Sequence, residues 1–507
     1  MKIDKITKNL SEKRNNYNIM WKMKKKSQKK QSSAFSLKAK EENELRSPDN
    51  IKKKRTSEHY VDLYEPNPVK EGYKRYEEEL ERLIAYCWNA LDETKEELMD
   101  EEITEVINNL EKDKATGPDG ISNEMIQRGG ESMRNSIIRM MEKIYSTEEI
   151  PEEWQTAYIK NTYKGKGSKK LMDNYRGLIL NPHLSKMFEK IIEKKEHEQL
   201  QDMSEYQCGA RNGKSAREHH FTIRTIKEVA KEDKEDITTV YFDIKKCFDK
   251  MRPKETMKEL WLKGIKGKHW RLIYKLNMDN TLIPITDLGE CEPIKVKEMI
   301  KQGSGLGSVI SAITIDSLTR IMNKQKTWSI GDIKINPFLF QDDIFAANKT
   351  KDIQETVNVI QTFQNLKRLQ FHEEKSKKSI LNGKREEPIY INLIQIERAS
   401  SHKYLGKLIE ERNIEKEENK ERIIKAKAAA KDSINFINRR ELKNKRVNVG
   451  KKLLQTVVIP TLTIGAETWP QLLGIEKGEM NKIQTQYLNR LLRVPKTTPK
   501  CALKKEN

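Results

Sequence analysis

Apolar positions recur at helical spacing from about residue 57 onward and with almost no period before it. Tyr60, Leu63 and Tyr64 open an apolar patch. Leu80, Leu83, Ile84, Cys87, Trp88 and Leu91 follow, and then Ile103, Val106, Ile107 and Leu110 within EEITEVINNLEKDK. This spacing predicts helices over 57–115, closed by the turn signal ATGPDGIS with Gly117, Pro118, Asp119 and Gly120. Between about 120 and 200, two helical stretches (SMRNSIIRMMEKIY and LSKMFEKIIEKKE) flank a piece that reads as two short strands, Thr156–Tyr163 and Tyr175–Leu180, joined by a basic loop. From about 215 to 380 the periods alternate. The helix HHFTIRTIKEVAKE precedes the strand ITTVYFDI, and another helix begins after KQGSGLG. A strand pair then surrounds FLFQDDIFAAN, and a further helix carries Ile353, Val357, Ile360 and Phe363 on one face. Such alternation predicts a mixed α/β layer structure. Residues 404–495 read mostly as helix, with apolar stripes such as Leu453, Leu454, Val457 and Val458, and no internal repeat of 20–50 residues is visible.

Composition narrows the class. The chain of 507 residues is long enough for about three domains. Its 98 Lys and Arg against 77 Asp and Glu give a net charge of +21, which favours a polyanionic partner, nucleic acid before an anionic membrane. Much of the excess lies in residues 1–56 (WKMKKKSQKKQSS, NIKKKRTS), which read as a basic, disordered arm. A solvated tail, a phosphate contact and a nuclear-import signal at Lys52–Arg55 all fit that arm. No stretch approaches the ~18 uncharged apolar residues of a membrane span, and the N-terminus lacks a secretory h-region. The five cysteines (Cys87, Cys208, Cys247, Cys291, Cys501) form no C-x-x-C pair, so neither a disulfide framework nor a zinc site is indicated. An intracellular, nuclear setting is the expectation, with no membrane partner.

The carboxylates carry the candidate chemistry. Asp243 ends the apolar run TTVYFD, and about 100 residues later Asp342 and Asp343 sit between Phe338-Leu339-Phe340 and Ile344-Phe345. A half-buried carboxylate is costly unless paired, hydrogen-bonded or bound to a cation, and strand interiors disfavour Asp. A hairpin tip at Asp342–Asp343 would turn both toward a neighbouring strand. If that neighbour ends in Asp243, hard oxygen ligands converge on one patch, which suits Mg²⁺. With acidic residues this frequent, a bare Asp-Asp pair arises by chance, so the flanking aromatics are the stronger part of the signal.

The order of these pieces resembles the reverse transcriptase of non-LTR (LINE-type) retrotransposons. KATGPDGISNEMIQRGG resembles that family's opening motif, and IPEEWQTAYIKNTYKGKGSKKLMDNYRGLIL its fingers hairpin. YQCGARNGKSAREHHFTIRTI is similar to the segment leading into the palm, YFDIKKCFD to the first catalytic motif and KQGSGLGSVIS to the Gln-Gly motif. FQDD stands at the Tyr/Phe-x-Asp-Asp box, LQFHEEKSK resembles the Lys-bearing motif, HKYLGKLI the Tyr-Leu-Gly segment and AETW a segment beyond the thumb. The match runs in register from about 57 to 495.

The resemblance implies an α+β right-hand polymerase with fingers, a split-βαβ palm and a helical thumb. Its implied domains are a helical N-terminal extension over 57–115, fingers and palm over 116–380, and thumb with a helical C-terminal region over 381–507. It implies metal-binding catalytic roles for Asp243, Asp342 and Asp343, with two Mg²⁺ ions, Mn²⁺ being the alternative. Phe248 falls at the aromatic position that excludes a 2′-hydroxyl. Arg176, with Lys164 or Lys166, falls where the fingers bind the triphosphate. Gln302 and Gly303 fall at the loop against nucleotide and template, and Lys375 where a proton donor to pyrophosphate is placed. The implied partners are an RNA template, a DNA primer and dNTPs.

Several positions depart from the family pattern. Ser304-Gly305-Leu306-Gly307-Ser308 replaces a Pro-Leu-Ser-Pro run, which should loosen the loop. Gln341 replaces a small residue before the Asp pair, and Ala210 and His372 replace the usual Phe and Asn. Near Asn161 the usual Pro is missing. Residues 1–56 are too short and basic for an endonuclease core, which leaves an endonuclease in trans open among the partners. Two functions are consistent with this: an active RNA-directed DNA polymerase, or a degenerate nucleic-acid-binding descendant without catalysis.

Overall fold

The computed structural model describes residues 48–90, 96–165, 167–169, 171–296, 299–382, 386–411, 416–439, 445–463, 474–495 and 497–498. They fall into two compact units. One draws on the described residues within 48–219 and 234–398, the other on those within 220–233 and 399–498.

In the larger unit the helices that position the site are α1 (Pro48–Tyr64), α2 (Lys74–Asn89), α3 (Asp100–Asn108), α4 (Gly130–Thr147), α5 (His183–Lys195), α6 (Pro253–Leu262), α7 (Gly307–Met322) and α8 (Ile353–Leu366). The strands of its two five-stranded sheets are β1 (Thr156–Tyr163), β2 (Tyr175–Leu180), β3 (Ile237–Phe242), β4 (Asn280–Thr286), β5 (Gly289–Glu290), β6 (Ile294–Val296), β7 (Phe338–Phe340), β8 (Asp343–Lys349), β9 (Lys377–Leu381) and β10 (Glu397–Arg398). One sheet has the order β2-β1-β4-β5 with β6 also on β4. The other runs β10-β9-β3-β8-β7. The first carries the hairpin β1–β2, at the bounds the sequence pattern predicts.

β3 is central to the second sheet for a sequence reason. ITTVYF consists of β-branched, aromatic and other strand-compatible residues, and all six positions are buried, so both faces are covered. β8 lies antiparallel to it, with Ile344 opposite Phe242 and Lys349 opposite Ile237. β9 lies on the other side, with Lys377 opposite Tyr241. α7 is almost wholly buried, and with α8 it packs into one core shared with the helices between α2 and α5.

The boundary expected at residue 56 falls inside α1. Residues 1–47 of the expected disordered arm lie outside the described residues, but from Pro48 the chain is helical. Tyr60, Leu63 and Tyr64 bury against Ala157, Ile159, Ile179 and Leu282, which anchors the helix, and Pro48 suits a first turn.

Lysines in so basic a chain read as solvated, yet Lys367 is buried. Its ammonium donates to Glu255 and Glu259 at 2.8 Å each, while Arg320 pairs with Glu259 and Arg252 forms a two-bond fork with Glu77. Removing one member leaves buried carboxylates uncompensated. Lys367→Met is therefore expected to cost about 3–5 kcal/mol in urea unfolding, whereas exposed pairs such as Arg75–Glu79 contribute under about 1 kcal/mol.

The smaller unit holds the hairpin Ser401–Tyr404/Lys407–Glu410, to which His220 and Lys227 bond through the carbonyls of Tyr404 and Glu410. Its helices Lys416–Arg439, Arg446–Leu453 and Gly474–Leu492 share a core containing Leu453, Leu454, Val457, Val458 and Tyr487. The AETW segment lies outside the described residues. Among the described residues no helix is long and apolar enough to cross a membrane.

Candidate active site

Asp343 is the first residue of β8 and pairs with Phe340 of β7, so the turn between them is Gln341–Asp342. Gln341 adopts a left-handed backbone with φ 55, which bulky residues rarely do. What holds it is Gln207, fully buried, whose side-chain oxygen accepts from the amides of Gln341 at 3.0 Å and Gly209 at 2.9 Å. Gly209 lies so close that a Cβ there would stand 2.3 Å from the Gln341 nitrogen. Ile344 faces Phe242 across the sheet, which brings the tip beside Asp243 at the end of β3.

The Lys-bearing segment docks on the same strand end. Ile244 bridges Phe371, the His372 amide donates to the Asp243 carbonyl at 2.7 Å, and the Lys245 amide donates to the Gln370 carbonyl at 2.7 Å. This pairing sets Lys375 with its ammonium 3.5 Å from the Asp243 carboxylate. From the other side the hairpin β1–β2 brings Lys164, whose ammonium donates to the Asp173 carbonyl at 2.7 Å, and Arg176, whose charge acts on Asp342.

These groups line one cavity of about 880 Å³. Asp243, Asp342, Lys164, Arg176, Phe248, Gln302 and Lys375 all contribute to it. Asp343 and Gly303 do not. Gly303, at φ 95, borders a second cavity on the far side of its loop, and Lys166 lies outside the described residues.

The loop after Gln302 is pinned, contrary to the loosening expected from its glycines. The Glu189 carboxylate on α5, fully buried, accepts from the amides of Gly305 and Leu306. Gly305 is small because Glu189 is there, a Cβ standing 3.1 Å from that of Glu189. Gly307 is small because a Cβ would stand 2.6 Å from the Lys301 carbonyl. The missing prolines are thus replaced by a buried acceptor and close backbone packing.

Burial raises Asp342, with Asp243 adding to the rise. Burial, then the charges of Asp342 and Asp243, pushes Asp343 up to about 7. The folded chain then holds a proton that an unfolded aspartate releases near pH ~4. Between about pH 4 and pH 7 the folded state binds more protons, so this group lowers stability as pH rises through that window. In metal-free buffer, Asp343→Asn is expected to gain urea midpoint relative to the parent at pH 8 and to match it at pH 4. An equal difference at both values would contradict the assignment.

Among the described residues, no group of three or more His, Cys, Asp or Glu side chains is gathered closely enough to hold a metal ion. Asp243 is instead engaged by Lys375. The donor chemistry nevertheless fits a hard divalent cation: carboxylate oxygens, two of them raised by burial and by their like-charged neighbours.

Gln207, Gly209 and Glu189 were not singled out from sequence. They act through contacts between segments more than 100 residues apart, and only the left-handed demand on Gln341 hints that something must hold the turn.

An Asp at the end of the central strand and an Asp at a hairpin tip, faced by a basic hairpin across one cavity, are arranged as in the palm and fingers of a right-hand polymerase. Residues 163–409 match the family model described as "Reverse transcriptase (RNA-dependent DNA polymerase)". Among solved structures it is similar to telomerase from Candida albicans bound to a fragment of telomeric RNA. That likeness has 14% identity and a TM-score of 0.37, over 72% of this chain and 66% of that one. Telomerase from Candida tropicalis gives 12% identity and a TM-score of 0.39 with the RNA fragment, over 73% and 66% of the two chains. The apo form truncated from its C-terminal domain gives 11% and 0.37, over 54% and 58%. The chain thus spans about 58–66% of the length of these structures.

Proposed function

We propose that the protein is the RNA-directed DNA polymerase of a non-LTR retrotransposon, extending a DNA primer on an RNA template with dNTPs. The observation that carries this reading is the single cavity shared by Asp243, Asp342, Lys164, Arg176, Phe248, Gln302 and Lys375, within a matched reverse transcriptase domain. On this reading residues 116–380 are fingers and palm, and 381–507 are thumb and C-terminal region. The chain works in the nucleus.

The chemistry is an in-line displacement. The primer 3′-oxygen forms a bond to the α-phosphorus of the dNTP, the α–β bridging P–O bond breaks, and pyrophosphate leaves. Asp243, Asp342 and Asp343 would hold the divalent cations, Mg²⁺ or alternatively Mn²⁺, which acidify the 3′-hydroxyl and neutralise charge on the leaving group. Arg176, with Lys164 or Lys166, grips the triphosphate, where a guanidinium fork matches phosphate oxygens. Gln302 and Gly303 support the nucleotide against the template. Lys375 hands a proton to pyrophosphate.

Phe248 lines the same cavity, and on this reading it stands against a ribose 2′-hydroxyl. Phe248→Val should relax dNTP-over-rNTP selectivity by about 10–200-fold, the usual effect of opening space against one small group. The test is single-nucleotide incorporation opposite an RNA template with dNTP or rNTP. Unchanged selectivity would remove Phe248 from this role.

A further inference from the structure

We propose that α1, which lies upstream of the matched domain, is a wall of the nucleotide pocket, and that His59 on it contacts the triphosphate of the bound substrate. This rests on the polymerase reading of the same cavity and extends it to a segment outside residues 163–409.

His59, Tyr60, Leu63 and Asn67 line the cavity together with Asp243, Lys164 and Arg176. The helix is fixed to both halves of the site. On the fingers side, the Tyr60 hydroxyl donates to Asn161 of β1, and Gly177 of β2 leaves it room: a Cβ there would stand 2.9 Å from that hydroxyl. Gly177 directly follows Arg176, so the phosphate-gripping strand is shaped around α1. On the palm side, the Tyr64 hydroxyl donates to Asp249 at 3.4 Å, and the Lys250 ammonium donates to the Glu65 carbonyl at 2.6 Å. Asn67 exchanges bonds with Arg368, its amide donating to the Arg368 carbonyl at 2.7 Å and its own carbonyl accepting from the guanidinium at 2.6 Å. Tyr60 and Tyr64 stack, with ring centroids 6.0 Å apart, which stiffens the turn that carries His59.

His59 is half-buried and sits among Lys164, Lys246 and Asp173. Burial and the Lys246 charge lower its pKa, so near neutral pH it presents an uncharged ring with one N–H to donate. Lys246 spends its charge on Asp173 at 3.3 Å, and Lys164 bonds the Asp173 carbonyl. A ring donor beside two lysines, facing a cavity that ends at the catalytic carboxylates, is placed for the phosphate end of the substrate.

The test uses the full chain and inorganic tripolyphosphate, which probes the pocket without catalysis. By titration calorimetry the parent should bind it, His59→Ala should bind about tenfold more weakly, and His59→Gln, which restores a neutral donor, should recover most of the loss. In primer extension His59→Ala should raise the dNTP KM by a similar factor, with kcat and primer–template affinity within about threefold of the parent. Equal tripolyphosphate binding by parent and His59→Ala, or no binding by the parent, would overturn the proposal. A parent that binds tripolyphosphate through His59 yet never extends a primer would leave this wall standing and remove the polymerase reading instead.

Discussion

Asp342→Asn is expected to reduce dNTP incorporation by about a thousandfold or more while leaving primer–template affinity within about twofold. On the proposed polymerase reading, the first figure follows from removing a hard anionic group that would hold a cation at the reacting phosphorus, where such a cation is worth several kcal/mol of transition-state stabilisation. The second follows because backbone binding by a chain of charge +21 is spread over many lysines and arginines and does not pass through the hairpin tip. The variant should also fold at least as well as the parent. Burial raises Asp342 and the neighbouring Asp243 adds to it, so the neutral amide relieves repulsion. Single-turnover incorporation and salt-dependent binding on the same sample check the two halves. Incorporation within tenfold of the parent would remove Asp342 from the metal site.

Gly209→Ala is expected to lose about a hundredfold in incorporation without touching any group that contacts substrate. Its Cβ would meet the Gln341 nitrogen at 2.3 Å and the Phe340 carbonyl carbon at 2.9 Å, both backbone atoms that cannot swing aside. The tip must therefore move, carrying Asp342 with it, and a displacement near 1 Å at reacting groups is worth about a hundredfold. Overpacking should also cost about 1–3 kcal/mol in unfolding. Gln207→Ala should act in the same direction, by releasing the Gln341 and Gly209 amides from their shared acceptor. A Gly209→Ala protein with parental kcat would show that the tip is not held as described.

Much of this was legible in the sequence, for physical reasons that differ by element. β1 and β2 were readable because turn residues bracket two short runs of strand-compatible residues. β3 was readable because six successive positions are compatible with burial on both faces. The Asp pair stood out because aspartate in an aromatic run has no packing reason to be there. What stayed hidden depends on distant partners. Gly305 and Gly307 looked like looseness until Glu189 and the Lys301 carbonyl were seen against them. Lys301 and Lys367 are both buried through partners distant in sequence, one donating to the Trp154 carbonyl at 3.2 Å and the other to two glutamates. The first turns of α1 looked like part of a basic arm, because the residues that anchor the helix lie at its far end.

Primer extension on an RNA template tests the central claim most directly. The purified chain of 507 residues, Mg²⁺, a labelled DNA primer and four dNTPs would be run beside the Asp342→Asn, Asp343→Asn double variant. The account predicts template-directed extension by the parent and none by the variant, with both binding the duplex alike. Salt-sensitive binding of the duplex by the parent with no extension would contradict it, and would make the chain a nucleic-acid binder that keeps the fold without the chemistry.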